Sequence, residues 1–221
     1  MLNKYQCDIK AFVFTFVVMT VVTPFFTFPS IYWWMQVVNA GTVIFDPGEH
    51  FEKMTSRNRY KIAGANNSIL LSIPLINGRN QHVPMHNVHI SNDVSWQLQH
   101  WRTLVSVYRR APYFEHYEET LKPIFENTFT NLIDFNKTST DWVTQQLKLH
   151  FKEEEARAYI KQYPEEVTDL RIIKPGNKKE SLTEFPRYYQ VFEDRVGFLP
   201  NLSILDLLFS EGPHAIEKLK R

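Results

Sequence analysis

A single cysteine, Cys7, in 221 residues rules out an internal disulfide framework and any cysteine-based zinc cluster. Nothing in the chain calls for an oxidising compartment, so the expected location is cytoplasmic. Seven glycines and 12 prolines are too few for a collagen-like or low-complexity chain. Charge of one sign is also scarce: the net charge is +1, without the broad basic excess of a general nucleic-acid binder. The sequence has no G-x-S-x-G, no Walker loop and no G-x-G-x-x-G, so hydrolase, NTPase and dinucleotide readings lack their motifs. No cofactor is implied. The one long apolar stretch, AFVFTFVVMTVVTPFFTFP (11–29), is broken by Pro24 before reaching the ~20 residues of a membrane span. It is rich in Val, Phe and Thr, which favour strands. The expectation is a buried first strand around 20–28, translation from Met19, a spurious extension over 1–18 and one domain over 19–221.

Hydrophobic residues make up 43% of the chain and aromatics 14%, with 17 Phe, 10 Tyr and 5 Trp, enough for a ring-rich core. SIYWWMQVVNA (30–40) reads as a helix with Ser30 as N-cap, and TVIFD (42–46) as a buried strand stopped by Pro-Gly. Strand, helix and strand at this spacing form a βαβ unit with parallel strands. RNRYKIA (57–63) and ILLSIPL (69–75) flank GANNS as a hairpin, and VHI (88–90) is a candidate fifth strand. Helical spacing then takes over at 95–109, from Pro112 onward with a break or kink at Pro123, and at 139–149. FKEEEARAYIKQY (151–163) reads as a charged surface helix, 164–184 as a loop, and PRYYQVFEDR and SILDLLFSEGP as two short helices. Ser203 and Asp206 suggest a capping box on the last of these. The fold class expected is a single α/β domain: a mixed sheet of about five strands with a mainly helical C-terminal half.

One short stretch carries most of the functional signal. KMTSRNRYK (53–61) packs Lys53, Arg57, Arg59 and Lys61 into nine residues with no acid. Side chains alternate along a strand, so Arg57, Arg59 and Lys61 are expected on one face, and Asn58, Tyr60 and Ile62 on the other. The bland reading is a solvated outer strand. The sharper one is an anion site, because an arginine fork matches phosphate or carboxylate oxygens in two-point contact. The stretch follows the loop after TVIFD, and ligands of α/β sheets tend to lie beyond the carboxyl ends of the strands. That loop carries Asp46, Glu49, His50 and Lys53, a set able to move protons beside an anion. His82, His86 and His89 fall in one span, but Pro84 blocks a helix and an extended chain points His86 and His89 apart, so no metal is expected. His100 lies at i,i+4 from Trp96, where a packed histidine is commoner than a catalytic one.

FFTFPSIYWW, KMTSRNRYKIAGANNSILLSIPL, WQLQHWRTLVSVYRRAPYFEHY and YYQVFEDRVGFLPNLSILDLLFSEGP occur in this order. Together they resemble the WbqC-like family, in the form typical of Bacteroidetes bacteria, over roughly residues 22–214. The family's acid, aromatic, Lys and Asn-Arg fall on Asp46, Phe51, Lys53, Asn58 and Arg59. Its His-Trp pair falls on His100 and Trp101, and its Tyr with the following Ala-Pro on Tyr108, Ala111 and Pro112. Arg57 is an addition. The resemblance implies a role in O-antigen or other surface-polysaccharide synthesis, as a glycine-type acyl or aminoacyl transferase acting on a nucleotide-linked amino sugar. In that scheme Lys53, Arg57, Asn58, Arg59 and Tyr108 hold a small-molecule substrate through its phosphate or carboxylate. His50 or His100 is the general base and Asp46 the orienting acid. The other reading is a non-catalytic interaction module of envelope assembly, using exposed Trp33 and Trp34.

Overall fold

The computed structural model describes residues 19–172 and 183–220. The expected extension over 1–18 and the centre of the expected loop, KPGNKKES, lie outside the described residues. The chain opens with β1 (Thr20–Thr23), α1 (Ile31–Val37) and β2 (Thr42–Phe45), and the two strands pair in parallel with Val21 beside Val43. The expected βαβ unit is therefore present. The first strand is shorter than expected because Pro24, which cannot donate to a ladder, ends it. The hairpin follows as β3 (Arg59–Ile62) and β4 (Ile69–Ser72), antiparallel, with Lys61 opposite Leu70. Parallel and antiparallel strands fall in two separate sheets, one of four strands and one of two. VHI contributes only isolated bridges, Ile90 to Leu75 and His89 to Asn131.

Helices α2 (Trp96–Tyr108), α3 (Phe114–Glu126) and α4 (Leu132–Gln146) form the second half's core. Pro123 neither breaks nor ends α3. It sits in the last turn on the solvent side, where losing one backbone donor is tolerated. α4 begins seven residues before the expected start at 139, since Leu132, Phe135 and Asn136 also face inward.

Three sequence-based expectations are corrected. The segment 151–163 is not a helix: Lys152–Glu155 forms β5, parallel to β2. The expected loop 164–184 contains a strand, β6 (Val167–Asp169), parallel to β1. The sheet order is β5-β2-β1-β6. The edges of β1 and β2 would otherwise leave backbone groups unpaired, and their pairing outweighs the weak local helix preference of a Glu-rich run. The glutamates also blunt the exposed edge of the sheet. Similarly, PRYYQVFEDR is extended except for one turn, α5 (Glu193–Val196). Tyr188 and Gln190 point inward and Arg187 and Tyr189 outward, a period of two that a helix could not give.

The inward pair serves a buried acid. Asp206, on α6 (Ile204–Glu211), is fully buried and accepts hydrogen bonds from Tyr108 Oη at 2.7 Å, Tyr188 Oη at 2.6 Å and Gln190 Nε2 at 3.0 Å. The capping box is thus only half formed: Ser203 Oγ accepts from the Leu205 N–H, while the Asp206 carboxylate turns into the core. α6 ends at Gly212, whose φ of 56° and nearby Tyr113 ring leave no room for a side chain. A short α7 (Ala215–Leu219) follows. No helix among the described residues is long and apolar enough to cross a membrane. Trp33 and Trp34 are buried rather than exposed.

Leu208 on α6 has no exposed surface. Leu208→Ala is expected to lower stability by ~2–5 kcal/mol through lost burial and a residual cavity. Chemical denaturation checks this: a midpoint shift with an unchanged slope is the expected result.

Candidate functional site

The chain leaving the carboxyl end of β1 runs along one wall of a cavity of about 470 Å³. Phe26, Thr27 and Phe28 belong to that wall, and Ser30, Tyr32 and Trp33 continue it into α1. The facing wall comes from the loop Lys53, Met54, Thr55 and Ser56 and from β3 with Arg59, Tyr60 and Lys61. Leu70, Asn201 and Ser203 complete the lining. Opposed residues of an antiparallel pair share a face, so the Lys61–Leu70 register sets a cation beside a leucine. Arg59 lies two residues before Lys61 on the same face. Among the described residues the lining holds three cations, Lys53, Arg59 and Lys61, and no carboxylate.

Four non-glycine residues among those described have left-handed backbone: Phe28 (φ 36°), Met54 (φ 65°), Lys148 and Asn201 (φ 52°). Three of the four line the cavity. Such conformations cost on the order of 1–3 kcal/mol each and persist where the surroundings over-determine them. Phe28 is held by hydrogen bonds on both sides, its N–H donating to Ser139 Oγ at 3.3 Å and its carbonyl accepting from Ser203 Oγ at 3.0 Å. Asn201 Oδ1 accepts from the Tyr32 N–H at 2.8 Å. It thereby takes the capping role expected of Ser30, whose side chain makes no such bond.

The expected site residues separate into two groups. Lys53 and Arg59 line the cavity, together with Lys61. The remainder do not. Arg57 precedes β3, and its side chain turns away from the Arg59–Lys61 face into the interior. There its Nε and Nη2 donate to the two oxygens of Glu49, both at 2.8 Å, and only 2% of Arg57 is exposed. Burial pushes the Glu49 carboxyl up from its ordinary value, against the pull of Arg57. Asn58 donates to the Ile73 carbonyl at 2.9 Å and fixes the hairpin. Tyr108 Oη, besides donating to Asp206, accepts from the Ala63 N–H at 3.0 Å. Asp46 is fully buried, 2.7 Å from Arg171 Nη1, and accepts from the Gly48 N–H. His50 is exposed and bridges backbone to Pro84.

His100 is 4% exposed, between the rings of Trp96 and Tyr60, with Nδ1 at 3.2 Å from Tyr60 Oη. Burial depresses its pKa to about 4, so the ring is neutral near pH 7. The packed-histidine reading describes this environment. Among the described residues no three His, Cys, Asp or Glu side chains form a group able to hold a metal ion. Sequence reasoning missed Asn201, Ser203 and the Phe26–Phe28 wall. The first two are some 140 residues from the cationic stretch, and no local pattern ties them to it.

The carboxyl end of the parallel sheet is filled by the protein's own ions. Arg171, just beyond β6, reaches Asp46 beyond β2 and Asp169 at the end of β6, with the Tyr159 and Tyr163 rings 5.3 and 4.9 Å from its guanidinium carbon. Asp169 and Asp46 raise its pKa further above the ordinary arginine value.

The model of the WbqC-like protein family matches residues 26–183. The match covers more than half of the chain, and the chain belongs to this family. It takes in the Phe26–Phe28 wall, the cationic loop and β3. No curated protein and no solved structure gives a significant match.

Two outcomes are expected from these environments. Arg57→Ala should destabilise by ~3–5 kcal/mol because Glu49 is left buried and unpaired, whereas a joint Arg57→Met, Glu49→Leu change should recover much of the loss. Denaturation of both variants checks this. For His100, protonation disfavours the folded state. Its contribution is complete above about pH 6.5 and falls away as the pH drops towards about 4. The difference in stability between wild type and His100→Gln should therefore shift by roughly 3 kcal/mol across that window.

Proposed function

We propose that this WbqC-like protein binds a small molecule through its phosphate or carboxylate in the Lys53–Arg59–Lys61 cavity, and acts on it as an acyl or aminoacyl transferase. The observation that carries the reading is the gathering of three cations, Lys53, Arg59 and Lys61, in one lining that among the described residues has no acid. Three cationic side chains in one concavity make it attractive to an anion. Arg59 offers a planar fork, and the lysines add mobile point charges. The volume, about 470 Å³, lies within the usual range of small-molecule sites. The backbone strain gathered around the cavity is a second support, since strain of this kind concentrates at ligand sites.

The transfer half of the reading comes from the family resemblance, with surface polysaccharide as its setting. An acceptor amine would attack the carbonyl carbon, the leaving group would depart with the bonding pair, and the amine would lose one proton. The clamp's part is to hold the anionic group and to stabilise negative charge developing on the leaving group. Asp46, His50 and His100 do not line the cavity. In this reading the amine's proton passes to solvent or to a substrate oxygen. The interaction-module alternative loses its main feature, because Trp33 and Trp34 are core residues.

Calorimetric titration with methyl phosphate and pyrophosphate tests the binding step. Arg59→Ala should weaken binding by about one to two decades, the worth of a charged hydrogen bond of ~1.5–3 kcal/mol. Arg59→Lys should recover little of it, because the two-point fork is gone. Unchanged anion affinity in Arg59→Ala, with the melting temperature preserved, would remove the clamp.

A further inference from the structure

We infer that the cavity's ligand is an anionic amphiphile, a phosphate or carboxylate carried on an alkyl, acyl or prenyl body. The inference rests on the anion-binding reading and narrows the ligand class within it. Two features of the lining lead there. The first is the apolar surface beside the cations. Met54 is 60% exposed and Leu70 47% exposed, and both line the cavity. Met54 directly follows Lys53, and Leu70 stands opposite Lys61, so each lysine has a large apolar neighbour at the mouth. Deeper in, the edge of Phe26 adds a little aromatic surface. Large apolar side chains left in water around a concavity mark a surface awaiting an apolar partner.

The second feature is how the neutral polar side chains are used. Thr55 Oγ1 donates to the Glu52 carbonyl at 2.7 Å, and Ser203 Oγ donates to the Phe28 carbonyl at 3.0 Å. The Thr27 hydroxyl faces the Arg57 carbonyl at 2.9 Å and Asn136 Oδ1 at 2.6 Å. Asn201 Oδ1 takes the Tyr32 N–H. These groups hold the protein's own backbone. A ribose or hexose presents several hydroxyls and needs acids and amides to receive them, as the acidic residue on the ribose of dinucleotide sites does. Among the described residues the lining has no acid, and its one amide oxygen is engaged. Beside the Ser30, Ser56 and Tyr32 hydroxyls, the described lining offers charge for a head group and apolar surface for a body.

Calorimetry on the full chain separates the possibilities, using methyl phosphate, octyl phosphate, octanoate, octyl glucoside and UDP-N-acetylglucosamine, each below its micelle-forming concentration. Octyl phosphate should bind at least about tenfold more tightly than methyl phosphate, given the gain per buried methylene. Octyl glucoside should bind far more weakly than octyl phosphate, and the comparison with octanoate tells a phosphate head from a carboxylate one. Leu70→Ser and Met54→Ser, at exposed positions, should narrow the octyl-to-methyl ratio severalfold. Equal affinity for octyl and methyl phosphate, or tighter binding of the nucleotide sugar, would overturn the amphiphile while leaving the anion site standing. Equal binding of octyl glucoside and octyl phosphate would reduce the site to a nonspecific apolar patch and overturn it too. If no anion binds, the anion-binding reading fails and this inference with it.

Discussion

The buried Arg57–Glu49 pair is the constraint on which the cavity depends. Two-point contact at 2.8 Å fixes the guanidinium, and with it the backbone of residue 57. The Arg57 carbonyl then accepts from Asn136 Nδ2 at 2.8 Å, and the same amide group donates to the Phe25 carbonyl at 2.9 Å. The Thr27 N–H donates to the Ser56 carbonyl at 3.1 Å. The exit of β1, the loop before β3 and helix α4 are thereby joined at one point. Burying two charges is costly, and a pair of this kind is weak grounds for net stability. Its effect here is positional: it holds the two cavity walls in register.

That positioning explains why strained backbone can be kept around the cavity. Phe28 is held at φ 36° while its ring packs against Tyr60, Phe125 and Phe135, with centroids 5.3, 5.8 and 6.0 Å away. Relaxing the backbone would pull the ring out of this cluster and break the bonds to Ser139 and Ser203. The lining is thus set before any ligand arrives, and a preorganised site spends less of its interaction energy on ordering. Met54 differs: it shares the left-handed conformation but is exposed, so its side chain stays at the mouth.

The parallel sheet would ordinarily offer its carboxyl end to a ligand. In this protein Arg171 closes that end by linking Asp46 and Asp169 from opposite sides of β1. The cavity lies instead between the chain leaving β1 and the hairpin. The rule of ligands beyond the strand ends is therefore met only in part, through Phe26–Phe28. The same displacement separates the buried acids of the sheet end from the cations of β3. That separation keeps those acids out of the described lining.

The sequence by itself determined the local features. The βαβ opening, the hairpin around GANNS, helices α2 and α6 and the cationic character of 53–61 all follow from periodicity, turn chemistry and composition, which act over a few residues. Lys53 and Arg59 were legible as cavity residues because a strand's alternation and a loop's charge need no distant partner. What only the tertiary structure decided were the matters of pairing. KEEE became a strand because β2 had an open edge, and Asp206 left its helix cap because Tyr108, Tyr188 and Gln190 converge on it. Arg57 and Arg59 illustrate the limit. They are the same residue type two positions apart, and alternation placed them on one face. Yet Arg57 lies before the strand begins, where Glu49 waits in the interior, and Arg59 lies within it, facing the cavity. Alternation holds only where a ladder fixes the backbone. Which carboxylate a buried arginine meets is settled by long-range packing, and a local pattern does not encode it.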